Sequence, residues 1–421
     1  VAGAGVAPGS LALDDFVLAP NAVPTGAVTL SGEALVGRTL TADPSALADL
    51  DGLGPFSYAW LRDGTPISDA TGASYVLRAD DVGAEVAVIV SWTDGGETLE
   101  SVESTPTAPV AGSGQLIVGT PQPDDLPGTM GDDTIQGIAA DDTLTGGAGD
   151  DSLDGGEGTD AAVFSGPRTA HTVTISASGV SVEDRRAVGD GTDTLASIER
   201  IDFADGSWPI DVFDGVAGLS EDVFREFVEV YLAYFDRAPD AEGLFFYGTA
   251  FAGGTTLREA ASTFITSPEY AASYPPEQSN LAFATTVYEN VLGRDPDQAD
   301  VDFWVPLLDA GTVTRDFFIV EVLKGAKAPI PDDANPAFRA QKLIDQQYLA
   351  DKTDIGIYFA VTKGMSNVTN AESAMDLFDG TPASVDAAVS AIDTFHTAAL
   401  DAETGEFILT LVGVADDPLT V

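Results

Sequence analysis

Residues 128–163 read GTMGDDTIQ GIAADDTLT GGAGDDSLD GGEGTDAAV, successive segments of nine residues that align on the pattern G-G-x-G-x-D-x-U-x, where U is aliphatic. Asp124, Asp133, Asp142, Asp151 and Asp160 recur at this spacing, and Leu126, Ile135, Leu144 and Leu153 follow the first four two places later. A glycine turn exposes carbonyl oxygens and the aspartate adds a carboxylate, so each segment offers hard oxygen donors at a fixed interval, which implies calcium. The aliphatic residue sits on a short strand, so successive segments wind into a parallel β-roll with a thin apolar core. A Gly/Asp linker without structure is the alternative reading of the composition, but such a linker has no reason to keep Leu or Ile in register.

These residues resemble the RTX nonapeptide repeats of proteins exported by bacterial type I secretion. The resemblance implies that alternate turns stack on the same side, with Asp133 and Asp151 on one side and Asp124, Asp142 and Asp160 on the other, and that each ion lies between turns two repeats apart. The implied calcium-binding set is Asp124, Gly128, Gly131, Asp133, Gly137, Asp142, Gly146, Gly147, Gly149, Asp151, Gly155, Gly156, Gly158 and Asp160. The turn Gly146, Gly147, Gly149, Asp151 fits completely, and the next fits until Ala162 replaces the aliphatic residue. Elsewhere the sequence departs: Pro121 and Pro123 follow Gly119, Thr129 takes a glycine place, and Ile138 and Ala140 fill both flexible places of the middle turn. One to three ions are therefore expected.

The 421 residues carry 68 acidic against 18 basic side chains, a formal charge of −50 that repels phosphate backbones and anionic lipid alike. Nucleic acid is excluded as an expected partner, and bound cations would relieve the self-repulsion. Cysteine is absent, which removes disulfides, Cys-based zinc sites and thiol nucleophiles. No apolar run reaches the ~20 residues of a membrane span. The chain opens at Val1 without an initiator Met or a signal-type segment, so it reads as part of a longer protein.

Upstream, residues 1–26 read as the end of a preceding domain plus linker, with LALDDFVLAP as a strand. From 27 to 111, SYAWLRDG, ASYVLRADD and EVAVIVSWTDGG alternate apolar and polar residues between turn signals, a β-sandwich pattern. Tyr58 and Trp60 share one strand face, and Val86, Val88, Val90 and Trp92 another, with Trp60 taken as core. Gly37, Leu40, Thr41 and Ala42, then Tyr58, Trp60, Arg62, Asp63 and Gly64, then Asp81, Val82 and Gly83 resemble the immunoglobulin-like repeats of large bacterial adhesins. Asp49 and Asp51 read as an acidic turn, with an ion site as the alternative.

After the repeats, Val173, Ile175, Val180 and Val182 mark strands expected to cap the open end of a β-roll region at 112–213. DGTDTLASIERIDFADG is similar to the segment that commonly succeeds RTX repeats, so Asp190, Asp193, Glu199 and Asp205 stand equally as further calcium ligands or as turn and surface acids. His171 lies there without a second histidine and is given no metal or catalytic role.

From Ser220 the period becomes helical, placing Phe224, Phe227, Val228, Tyr231 and Phe235 on one face. Tyr231, Arg237, Pro239, Asp240, Phe246, Gly254 and Arg258 recur 57 residues later as Tyr288, Arg294, Pro296, Asp297, Phe303, Gly311 and Arg315, so two copies of one helical unit fill 219–328. These copies resemble a bacterial domain of unknown function (DUF4214) that is itself similar to phycobilisome linkers, and the resemblance implies an interaction scaffold. Without an attachment cysteine, pigment binding is not expected. Arg237 and Arg294 read as internal ion pairs beside an Asp, and Tyr247 and Trp304 as core. Residues 329–421 read as a helical C-terminal region that holds His396 on an amphipathic helix, then an apolar strand near Phe407–Ala415 and a DDPLTV tail resembling a type I secretion signal.

The expected fold class is thus multidomain, β plus α: an immunoglobulin-like β-sandwich, a calcium-bound parallel β-roll with capping strands, and an all-α domain. No G-x-S-x-G elbow, H-E-x-x-H pair or Walker loop occurs, and His171 and His396 cannot be assumed to meet, so catalysis within these residues is not expected. The sequence reads as an extracellular structural or adhesive protein of the bacterial surface or matrix, exported by type I secretion machinery, with self-association or a cell-surface glycan as the contact of its helical repeats. The alternative is the export and display region of a larger secreted hydrolase.

Overall fold

The computed structural model describes residues 21–187 and 189–419; the segment LALDDFVLAP and the last two residues of the DDPLTV tail lie outside them. The chain divides into two compact units between Ser113 and Gly114.

In the first unit, strands β1 (Thr29–Ser31), β2 (Thr39–Asp43) and β5 (Ser74–Val76) form one antiparallel sheet. Strands β3 (Ser57–Arg62), β4 (Thr65–Pro66), β6 (Val86–Thr93) and β7 (Leu99–Glu103) form the other, in the order β4-β3-β6-β7. The alternation in β6 buries Val86, Val88, Val90 and Trp92, and these share one core with Leu40, Trp60 and Tyr75 from the facing strands. Trp60 is fully buried, stacks on Tyr75 with ring centroids 5.6 Å apart, and donates its indole N–H to the Gly72 carbonyl at 2.8 Å.

The second unit begins with the nonapeptides. Each yields a strand of three to five residues: β8 (Leu116–Val118), β9 (Asp125–Thr129), β10 (Thr134–Gln136), β11 (Thr143–Gly147), β12 (Ser152–Asp154) and β13 (Ala161–Val163). Odd and even strands part into two sheets because each glycine turn reverses the chain. β8, β10 and β12 run parallel in one sheet and β9, β11 and β13 in the other. Register stacks Ile117, Ile135 and Leu153 on one side of the core and Leu126, Leu144 and Ala162 on the other.

The roll does not stop at Val163. A hairpin, β14 (His171–Ser176) and β15 (Gly179–Asp184), intervenes, and then β16 (Thr192–Ala196) pairs in parallel with β12 while β17 (Arg200–Phe203) pairs in parallel with β13. These add one more winding, with Leu195 and Ile201 in the aliphatic places. Strand β18 (Gly206–Pro209) closes the five-stranded sheet.

Ten α-helices follow among the described residues. The longest are α1 (Glu221–Phe235), α8 (Pro336–Ile357) and α10 (Pro382–Ala399). Helix α1 buries its expected face and also Val230, Leu232, Ala233 and Tyr234, because helices pack around it on several sides. In the two repeated units Asp240 caps α2 (Ala241–Ala252) and Asp297 caps α6 (Gln298–Asp309), each side chain accepting backbone N–H bonds from the first turn. Thr256 caps α3 (Leu257–Phe264) in a reciprocal box with Glu259, whereas Thr314 occupies the matching place before α7 (Arg315–Lys327) without a side-chain bond. Arg237 pairs with Asp240 and Glu269, and Arg294 with Asp300 and Asp345, so both repeat arginines lock their turn to another part of the domain. Finally β19 (Ile408–Val412) returns to the roll and pairs in parallel with β14. A single apolar core runs from Leu126 in the roll through the helices to Val414. Among the described residues no helix is long and apolar enough to cross a membrane.

Candidate calcium sites of the β-roll

Each roll aspartate precedes its strand and turns its carboxylate back into the glycine loop. Oδ1 accepts a backbone N–H from the turn above: Gln115 donates to Asp133 at 2.5 Å, Asp133 to Asp151 at 2.6 Å and Asp151 to Asp193 at 2.9 Å. On the opposite side Asp124 donates to Asp142 at 2.8 Å, Asp142 to Asp160 at 2.7 Å and Asp160 to Glu199 Oε2 at 2.7 Å. The carboxylates therefore form two ladders, one along each edge of the roll.

The second oxygen distinguishes the turns. In the turns ending at Asp142, Asp151 and Asp160, Oδ2 is buried and has no hydrogen-bond partner. A Cβ at Gly137, Gly146 or Gly155 would collide with that oxygen, so only glycine leaves the space before it open. In the two earlier turns a threonine stands next to the first glycine: the Thr120 hydroxyl donates to Asp124 Oδ2 at 2.8 Å and the Thr129 hydroxyl to Asp133 Oδ2 at 2.9 Å. Threonine there satisfies the carboxylate that the glycine turns leave bare.

A buried carboxylate oxygen without a donor is costly unless a cation or a proton compensates it. Burial, reinforced by neighbouring acids, pushes Asp151 up to about 6 and Asp193 up to about 8, and raises Asp160 as well. A hard divalent ion would meet the same demand while leaving the oxygens ionised, so the bare oxygens and the glycine-shaped space fit calcium.

Of the downstream acids, Asp193 and Glu199 end the two ladders. Asp190 instead accepts from the Ser165 backbone N–H at 2.5 Å and its hydroxyl at 2.6 Å, and Asp205 accepts from the Arg168 N–H at 2.8 Å. Asp132, Asp141 and Asp150, absent from the expected set, form outer rungs: Asp150 N–H donates to Asp132, Thr159 N–H to Asp141 and Thr192 N–H to Asp150, all within 3.0 Å. Their signal was the first D of each recurring D-D pair. His171 is fully buried with Nδ1 on the Pro167 carbonyl and Nε2 facing Asp184 at 3.6 Å. Asp190 joins this cluster, but the Arg186 guanidinium already lies on Asp184 and near Asp190, so a cation is built in.

Comparison with known proteins agrees with this geometry. Residues 127–161 match the RTX calcium-binding nonapeptide repeat (4 copies), and residues 261–326 match a domain of unknown function, DUF4214. RTX nonapeptide repeats bind calcium, and calcium is the cofactor of this roll. Over 74 residues the chain is 38% identical to a decoration protein of Escherichia phage T5, an alignment covering 15% of this chain and 43% of that protein. The chain thus spans less than half the length of this relative.

Proposed function

We propose that this chain is a secreted, non-catalytic, calcium-stabilised structural or adhesive protein of the bacterial surface or extracellular matrix. The observation that carries the reading is the set of bare, buried Oδ2 atoms on Asp142, Asp151 and Asp160, facing Gly137, Gly146 and Gly155 in turn. Calcium taken up there joins neighbouring windings, so the roll becomes rigid where free calcium is abundant. For each ion the stabilisation is RT ln(1 + [Ca]/Kd), about 2.7 kcal/mol at a hundredfold excess over Kd. The two-sheet first unit, read as immunoglobulin-like, serves as a spacer, and the similarity to a decoration protein supports display on a larger assembly. The helical repeats provide the contact surface, for a second copy or a surface glycan, and type I machinery exports the chain.

Circular dichroism and size-exclusion chromatography with light scattering test this, comparing chelator with ~5–10 mM calcium, above the weak extracellular affinity range. Calcium should raise the β signal and build ordered oligomers. A β signal indifferent to calcium would remove the basis of the proposal, and folding without assembly would leave a monomeric display module.

A further inference from the structure

A second convergence of acids lies in the first unit, far from the repeats in sequence. Asp49 comes from the turn before β3, Asp94 from the β6–β7 hairpin and Glu100 from β7, and one carboxylate oxygen of each lies within 4.8 Å of the others. Among the described residues no lysine, arginine or histidine pairs with any of the three. That is the reverse of the His171 cluster, where Arg186 supplies the charge.

The hairpin fixes Asp94: its N–H donates to the Thr98 carbonyl at 2.9 Å, and Thr98 N–H returns to Asp94 Oδ1 at 2.7 Å. Asp94 is only 6% exposed, and its Oδ2 is buried without a partner, as in the glycine turns of the roll. Asp49 is held by Asp51 N–H at 2.9 Å and by the Trp92 indole N–H at 3.4 Å, and Glu100 accepts from the Asn21 amide. Neutral donors thus orient the carboxylates without cancelling their charge.

We propose that Asp49, Asp94 and Glu100 bind a divalent cation of the hard, oxygen-ligated class that includes calcium. Oxygens within 4.8 Å of one another are close enough to surround a single ion, since two ligands on opposite sides of a calcium ion at about 2.4 Å lie about that far apart. The ion would tie the 49–52 turn to the β6–β7 hairpin. With three side-chain ligands and water completing the shell, its affinity belongs to the weak extracellular class, roughly 0.1–1 mM.

The test uses the full chain and counts bound calcium by equilibrium dialysis at ~5 mM calcium, a saturating level for this class, for the native protein, Asp94→Asn and Glu100→Gln. Terbium emission excited through tryptophan serves as a second readout, because Trp92 touches Asp49. Each variant should bind one ion fewer and lose a Trp-sensitised terbium component, while the roll's calcium-dependent dichroism stays unchanged. If Asp94→Asn does not fold, Glu100→Gln, at a half-buried strand position, decides alone. Native stoichiometry in a folded variant would overturn the site and leave the roll assignment untouched.

Discussion

The turn 137–142 is built with the wrong residues for its shape, and correcting it should stabilise the roll. Ile138 sits at φ 86° and Ala140 at φ 72°, where turn 146–151 has Gly147 at 105° and Gly149 at 126°. Left-handed backbone costs a residue with a Cβ about 1–2 kcal/mol, more for a β-branched one. Ile138→Gly with Ala140→Gly turns GIAADD into the GGAGDD of residues 146–151. Roughly 3 kcal/mol of relieved strain is offset by about 0.5–1 kcal/mol for each added glycine's freedom in the unfolded chain. Ile138 is 45% exposed, so little burial is lost. The net expectation is about 1.5 kcal/mol of added stability, roughly tenfold in the folding equilibrium. Urea unfolding followed by far-UV dichroism at saturating calcium measures it, and the calcium midpoint for folding should fall in parallel. Unchanged or reduced stability would mean that the left-handed turn costs these residues nothing, and the strain argument would be refuted.

Two glycine-to-alanine changes should have opposite signs. Gly146→Ala drives a methyl into the Asp151 carboxylate and should raise the calcium midpoint at least tenfold, about 1.4 kcal/mol or more, whereas Gly325→Ala, on α7 with open space around its Cα, should stabilise by about 0.5–1 kcal/mol. In the first unit, burial pushes the Asp81 carboxyl up, but the Arg78 N–H, the Arg62 guanidinium and the Tyr75 hydroxyl outweigh it and hold it below 3.8. Its contribution is therefore full above pH ~4 and lost as the pH falls through the folded value; Asp81→Asn should remove this acid dependence and cost about 3 kcal/mol in neutral thermal melts. Arg185 donates to the carbonyls of Thr169, His171 and Glu406, tying β14 to the approach of β19. Arg185→Ala should cost about 2–3 kcal/mol and speed amide exchange at 408–412 ahead of the rest of the sheet.

The repeats were legible because glycine and aspartate repeat for local reasons: the turn needs its backbone freedom and the carboxylate its bare space. The two-sidedness of the ladders was legible only through the resemblance to RTX repeats, not from the spacing by itself. The winding made by β16 and β17 was not legible, because a hairpin of fourteen residues, His171–Asp184, breaks the nine-residue interval before the pattern resumes. Its trace survives in Asp193-Thr194-Leu195, which repeats Asp142-Thr143-Leu144. Thr129 reads in the sequence as a plain departure from the pattern and Thr120 carries no signal at all, since only the folded turn brings their Oγ1 onto the Oδ2 of Asp133 and Asp124. The pairing of β19 with β14 had no local signature; an apolar strand can be read from Ile408 to Val412, but its partner cannot.

That pairing bears on the order of events in synthesis. Thr174 and Thr410 meet side chain to side chain at 2.8 Å although 236 residues separate them, and the sheet they share also contains three of the nonapeptide strands. A ribosome making this chain releases the nonapeptides long before β19 exists, so the seven-stranded sheet lacks an edge strand until almost the whole second unit has emerged. Closing such a distant contact is slow compared with local turn formation. The second unit is thereby biased to remain open during translation and to complete its fold only after release.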